Sequence, residues 1–80
     1  MELRKETERE LKKLQKEVKT IRITGKLDKK QTEEVLENLR AYIQDCQHFA
    51  KNRDWVRAFE AIVYAWGIYE TCLRIGLIKK

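Results

Sequence analysis

The chain has 80 residues, of which 42% are apolar and 39% charged, and 18 Lys and Arg against 13 Asp and Glu give a net charge of +5. The apolar content excludes a disordered chain, and the length fits one domain near the lower size limit for a single stable core. Proline is absent and glycine occurs three times, which is too few turn-forming residues for a protein of short strands. The composition therefore predicts an all-α protein.

The first predicted element is a charged helix over residues 2–23. Its apolar seam repeats every three or four residues and consists of Leu3, Thr7, Leu11, Leu14, Val18 and Ile21. Gly25 is expected to end this helix in a left-handed cap. Basic residues cluster in the helix as a candidate nucleic-acid-binding patch, made of Lys12, Lys13, Lys16, Lys19 and Arg22. Glutamates are interleaved with them, which favours a solvated surface instead.

Two further helices are predicted over residues 28–51 and 54–76. Asp28, followed three residues later by Gln31, has the spacing of a capping box, while Asp54 and Gly76 are expected to cap the two ends of the third helix. All seven Phe, Trp and Tyr residues lie in residues 41–80. The predicted fold is a three-helix bundle, with a charged N-terminal helix (1–24) and an antiparallel, aromatic-rich hairpin (28–78) in one domain of residues 1–80. No strand is predicted.

The third helix is apolar on two opposite sides. One stripe is expected to fill the hairpin core and consists of Trp55, Ala58, Phe59, Ile62, Trp66, Tyr69, Leu73 and Leu77. Either the first helix or another subunit must cover the second stripe, which consists of Ala61, Tyr64, Ile68, Cys72 and Ile75. Gly67 lies beside this stripe, and its cost of about 1 kcal/mol in a helix indicates the close approach of another helix or of a ligand. We predict a homo-oligomer, with a dimer favoured, in which a second copy covers the second stripe.

No residue pattern indicates an enzyme, a cofactor or a metal site. The sequence supplies no activated nucleophile, phosphate-binding glycine loop or cofactor motif. His48 and Asp45 offer at most two metal ligands, fewer than zinc requires. A carboxylate pair between Asp45 and Glu60 is conceivable, because both fall at one height of the hairpin. Ion pairing and capping are the alternative for all acids of the aromatic half, which are Asp45, Asp54, Glu60 and Glu70.

The chain is expected to be a soluble cytoplasmic protein that does not enter a membrane. Its charged beginning lacks the apolar run of a signal peptide, and the longest uncharged stretch, residues 61–69, is far shorter than the roughly 18–20 residues of a membrane span. Cys46 and Cys72 are expected to lie about 20 Å apart along the hairpin, too far for a disulfide. Small secreted proteins generally carry more cysteines than these two.

Four segments of the hairpin carry a family resemblance: Tyr42-x-x-Asp45-x-x-x-Phe49, Asp54-x-x-x-Ala58-Phe59-Glu60-Ala61, Tyr64-Ala65-Trp66-Gly67 and Leu73-Arg74-Ile75-Gly76-Leu77. Over residues 35–78 the chain resembles the archaeal family known as domain of unknown function 357. The resemblance implies a small helical bundle and an archaeal source. It does not imply any particular biochemical activity. The stretch Glu70-Thr71-Cys72 departs from the family pattern, which has a short carboxylate there.

Two classes of function follow from these patterns. The first is a non-enzymatic protein-interaction or structural module that self-associates through the second stripe. The alternative is a nucleic-acid-binding accessory protein that uses the basic first helix, which the interleaved acidic residues disfavour.

Overall fold

The computed structural model describes residues 2–80 and contains three helices and one pair of short strands. In chain order these are α1 (Leu3–Val18), β1 (Arg22–Ile23), α2 (Lys29–Lys51), α3 (Trp55–Arg74) and β2 (Ile78–Lys79). Helix α3 packs most extensively against α2 and also against α1, whereas α1 and α2 touch little. The predicted all-α three-helix bundle with a charged N-terminal helix and a helical hairpin is confirmed.

Local capping fixes the ends of the hairpin helices as the sequence predicts. The Asp28 carboxylate accepts a hydrogen bond from the backbone N–H of Gln31 at 2.8 Å, and the Asp54 carboxylate accepts one from the N–H of Arg57 at 3.1 Å. After α3, Gly76 has a φ of +77°, and the N–H of Leu77 donates to the Cys72 carbonyl at 2.9 Å. This last pair forms a Schellman motif, in which a left-handed residue closes the helix.

The first helix is shorter than predicted. It ends at Val18 rather than near residue 23, so Ile21 of the apolar seam lies beyond it. The segment after α1 instead follows the C-terminal strand, where the Thr24 N–H donates to the Leu77 carbonyl at 3.1 Å. Gly25 has the expected positive φ of +81° but lies in the loop before α2, well after the helix end. The prediction that it caps the first helix is wrong.

A two-stranded antiparallel sheet was not predicted from the sequence. Arg22 lies opposite Lys79, and Ile23 lies opposite Ile78. Strands of two residues are too short to show an alternating pattern, which is why the sequence carries no signal for them. The pairing holds the C-terminal segment against the bundle, where Leu77 and Ile78 are 0% and 1% exposed.

Small side chains dominate the part of α3 that lies in the core. The buried residues of the helix are Ala58, Ala61, Ile62, Ala65, Tyr69 and Cys72. Of the larger residues predicted to fill the hairpin core, Ile62, Tyr69 and Leu77 are fully buried. The others are only half-buried, namely Trp55, Phe59, Trp66 and Leu73. The predicted core stripe is therefore correct for part of its length, and the core lies toward the alanine side of the helix.

Arg53 ends α2 in a left-handed conformation, with a φ of +59°. Its N–H donates to the Ala50 carbonyl at 3.0 Å, and the N–H of Asp54 donates to the Phe49 carbonyl at 2.8 Å. We expect Arg53→Gly to raise the free energy of unfolding by roughly 0.5–1 kcal/mol, because glycine adopts this conformation without the steric cost of a Cβ. Chemical denaturation measures the effect. Arg53→Ala, which keeps the Cβ, is the control, and equal stabilities of the two variants would contradict this account.

Candidate functional site

Helix α1 covers one side of α3 and is held there by polar contacts. The indole Nε1 of Trp66 donates to the Glu10 carbonyl at 3.2 Å, and the Tyr69 hydroxyl donates to the Glu17 carboxylate at 3.1 Å. The Lys13 ammonium lies 5.8 Å from the centroid of the Trp66 ring. The first helix thus packs on its own hairpin, on the side of the predicted core stripe and not over the second stripe.

The second stripe is divided between the core and the surface. Tyr64 and Ile75 are 56% and 46% exposed, and Ile68 is half-buried, whereas Ala61 and Cys72 are 5% and 2% exposed. At 100° per residue, Ala61 and Cys72 lie closer to the buried Ala65 than to Tyr64 around the helix axis. The prediction that Ala61 and Cys72 belong to an interaction surface is therefore wrong, because both side chains lie in the core of the chain itself.

We call the exposed apolar side of α3 the outer face, and it consists of Val63, Tyr64, Gly67, Ile68, Thr71 and Ile75. An open groove of about 510 Å³ runs along it, lined by Leu27, Val35, Val63, Tyr64, Gly67, Ile68, Thr71, Cys72, Ile75 and Leu77. The Tyr64 ring packs on Tyr42 of α2, with centroids 5.5 Å apart. A second groove, on the α1 side, shares Val63 and Gly67 with the first. Val63 and Gly67 thus form a ridge between the two grooves, and Gly67 lies near the middle of the outer face.

Gly67 has no neighbour inside the chain that requires a glycine. It is exposed, and a Cβ at this position meets no atom within 4 Å. A mid-helix glycine nevertheless costs about 1 kcal/mol relative to alanine. The close approach predicted from the sequence is therefore not made by any residue of the described chain.

The basic residues of the first helix are all exposed, and Lys13 and Lys16 line one shallow groove. Arg22 lies on β1, and Lys13 approaches the Glu10 carboxylate to 4.0 Å beside Trp66. Lys12, Lys16 and Lys19 follow the i, i+4, i+7 spacing of one helix side. Within residues 2–80, none of these three forms an ion pair within 4 Å.

The acidic residues of the hairpin differ in role. Asp54 caps α3 and lies 3.6 Å from the Arg57 guanidinium, as predicted. Asp45, Glu60 and Glu70 are exposed, and across the described residues none of them forms an ion pair within 4 Å. The ion pairing that was one alternative for these three is therefore not formed within residues 2–80.

The two cysteines are free thiols in the core, 0% and 2% exposed for Cys46 and Cys72. Burial raises the pKa of the Cys46 thiol to about 11 and also raises the pKa of Cys72. The exposed His48 lies at the end of α2, with its Nε2 3.4 Å from the Asn52 amide nitrogen. Within residues 2–80, no group of three or more His, Cys, Asp and Glu residues is arranged to hold a metal ion.

Burial and the raised pKa values predict slow thiol chemistry. We expect Cys46 and Cys72 to react with a disulfide reagent at pH 8 roughly a hundredfold more slowly in the folded protein than in guanidinium, because reaction requires an exposed thiolate. Absorbance at the thiolate product wavelength measures both rates, with free cysteine as the control. A folded protein in which either thiol reacts at the denatured rate would contradict the burial described here.

Comparison with known proteins gives one family. The family model described as "Protein of unknown function (DUF357)" matches residues 7–78, so the match includes most of α1 and is longer than the resemblance seen over residues 35–78. The crystal structure of protein AF1782 from Archaeoglobus fulgidus, of the same family, is 35% identical to this chain. The two superpose with a TM-score of 0.83, covering 98% of this chain and 92% of that one. No curated protein matches the sequence. Within the described part of the chain, no helix has the length and apolar character needed to cross a membrane.

Proposed function

The chain belongs to the DUF357 family, and we propose that it is a non-catalytic protein-interaction module that associates with a second copy of itself through the outer face of α3. The supporting observation is that much of this face stays exposed, although the Tyr64 ring packs on Tyr42 of α2. Val63, Tyr64 and Ile75 are 51%, 56% and 46% exposed there. Exposed apolar side chains grouped beside an apolar groove and rimmed by polar residues are typical of an interaction surface.

The size of the chain supports a second copy as the occupant. A core of this size stabilises a fold only marginally, and association about a two-fold axis enlarges it. Gly67 removes the side chain that would hold two helices apart at the middle of the face. A partner helix that packs at this point gives a reason for a glycine that otherwise only weakens α3.

The non-catalytic part of the proposal is supported by the chemistry of the polar residues. Both thiols are buried with raised pKa values, which is the opposite of what activates a nucleophile. Free thiols also fit a reducing compartment, and we place the protein in the cytoplasm on that basis.

Light scattering after size-exclusion chromatography tests the proposal on the full chain. We expect a mass near twice the 9.7 kDa of one chain at high concentration, with a shift toward a single chain on dilution. A mass of one chain at millimolar concentration would overturn self-association.

One observation favours the alternative, a nucleic-acid-binding accessory protein. Lys12, Lys16 and Lys19 are exposed, share one side of the first helix and lack ion-pair partners within residues 2–80. Three phosphate contacts predict a fall in affinity between 50 and 200 mM salt of roughly fortyfold for duplex DNA and roughly twentyfold for a single strand. Filter binding with duplex DNA and single-stranded RNA at both salt concentrations measures this, and Lys12→Glu, Lys16→Glu and Lys19→Glu together should abolish it. Absence of retention at 50 mM salt would exclude the alternative.

A further inference from the structure

Two oppositely charged residues on the outer side of α3 lie symmetrically about Gly67. Glu60 lies seven residues before this glycine, and Arg74 lies seven residues after it. Seven residues are close to two helical turns, with a drift of only about 20°, so the three residues follow one line along the helix. Both charged side chains are exposed, and within residues 2–80 neither forms an ion pair within 4 Å.

We propose that two copies of the chain pack their α3 helices antiparallel, crossing at Gly67, so that Glu60 of each copy pairs with Arg74 of the other. This inference rests on the proposed self-association and adds its geometry. In an antiparallel two-fold pair, a residue before the crossing point meets the residue equally far after it. The rule places opposite charges together twice, each pair about 10 Å from the crossing point at 1.5 Å per residue.

The opposite orientation is disfavoured by the same charges. In a parallel two-fold pair each residue meets its own copy, so Glu60 would face Glu60 and Arg74 would face Arg74. Like charges in contact weaken an interface and exclude the wrong register. Of these two two-fold arrangements, the antiparallel one alone brings Glu60 and Arg74 together.

The apolar residues fit the same arrangement. Tyr64 and Ile68 lie to one side of the line from Glu60 to Arg74, and an antiparallel two-fold axis brings this side of both copies together. The apolar groove of each copy then lies beside the crossing point, where the other copy can bury it. Small residues at a helix crossing permit this approach, and Gly67 with Thr71 four residues later supplies them.

Charge reversal on the full chain tests the geometry. At about 50 mM salt, sedimentation equilibrium should show that Glu60→Arg and Arg74→Glu each raise the dimer dissociation constant about tenfold, since each variant places like charges together twice. The double variant Glu60→Arg/Arg74→Glu should return to within about twofold of the wild-type value. Glu37→Arg, an exposed reversal on α2, is the matched control and should leave the constant unchanged.

The outcomes separate this inference from the proposed function. The antiparallel pairing is overturned if wild type is a dimer and the single variants have its dissociation constant. It is also overturned if the double variant dissociates as readily as the single variants. Either result leaves self-association in place. A monomeric wild type overturns both. If both single variants dimerise more weakly and the double variant dimerises like wild type, the antiparallel pair is supported. In a parallel pair, every variant would still place like charges opposite each other, so the double variant would not regain wild-type affinity.

Discussion

Replacing Ile68 with glutamate should convert the self-associated protein into a monomer. Ile68 is half-buried in the groove of the outer face, next to Tyr64 and Gly67. A second copy packed on this groove would bury the carboxylate without a partner, and a two-fold interface would contain the change twice. At about 3 kcal/mol or more per dimer, the dissociation constant should rise at least about a hundredfold. Sedimentation equilibrium measures the constant.

Two further variants make this result interpretable. Val56→Glu introduces the same charge at a residue that is 70% exposed, eleven positions before Gly67 and about 16 Å away along the helix, and it should leave association unchanged. If Ile68→Glu fails to fold, Val63→Glu replaces it, since Val63 is 51% exposed and lies on the ridge itself. A folded Val63→Glu that associates like wild type would contradict the outer face as the interface.

Substitutions at Gly67 should change folding and association in opposite directions. A Cβ at this position meets no atom within 4 Å, so Gly67→Ala should stabilise the isolated chain by about 1 kcal/mol through helix propensity alone. This is measured by thermal unfolding in the Val63→Glu background, where it corresponds to a rise in Tm of about 4–8 °C. Gly67→Leu should also stabilise that background, because leucine is a good helix former.

In the otherwise wild-type chain, Gly67→Leu should raise the dimer dissociation constant at least about tenfold. The leucine side chain occupies the space through which the second helix approaches, and forcing extra carbon atoms into a packed contact costs about 1–3 kcal/mol. Gly67→Ala, with one methyl group, is the graded control. If Gly67→Leu leaves the dimer dissociation constant unchanged, the helices cross at another point. If Gly67→Leu lowers the Tm of the Val63→Glu background, the space around Gly67 is not open.

The hairpin was predictable because its signals are local. Asp28 and Asp54 each cap a helix through the backbone N–H three residues later, and such spacing is visible in the sequence. Gly76 follows the same logic at the other end of α3, where only a residue that tolerates positive φ closes the helix. These positions fix two helices and the connection between them without any information on tertiary contacts.

The end of α1 was not predictable, because long-range pairing decides it. The seam from Leu3 to Ile21 continues a helical period past Val18, yet Thr24 bonds to Gly76 and Leu77 at the far end of the chain. No local pattern shows that two distant two-residue segments will pair.

The candidate site was only partly predictable for a related reason. The spacing of Tyr64, Ile68 and Ile75 identified an apolar line on α3, but spacing alone does not locate the edge between core and surface. That edge depends on which small residues α2 and α3 share as core, and it leaves Ala61 and Cys72 inside. The symmetric charges about Gly67 are visible in the sequence, and they gain meaning only once this side of the helix is known to be exposed.

The most direct test of the outer face as the interface is an NMR dilution series of the amide signals. As the protein is diluted from millimolar to micromolar concentration, we expect shifts to concentrate in residues 60–75 and to be largest at Val63, Gly67 and Ile68. The amides of Lys12 and Lys16, on the outer side of α1, should remain unchanged. Shifts confined to α1, or spectra independent of concentration, would contradict association through α3.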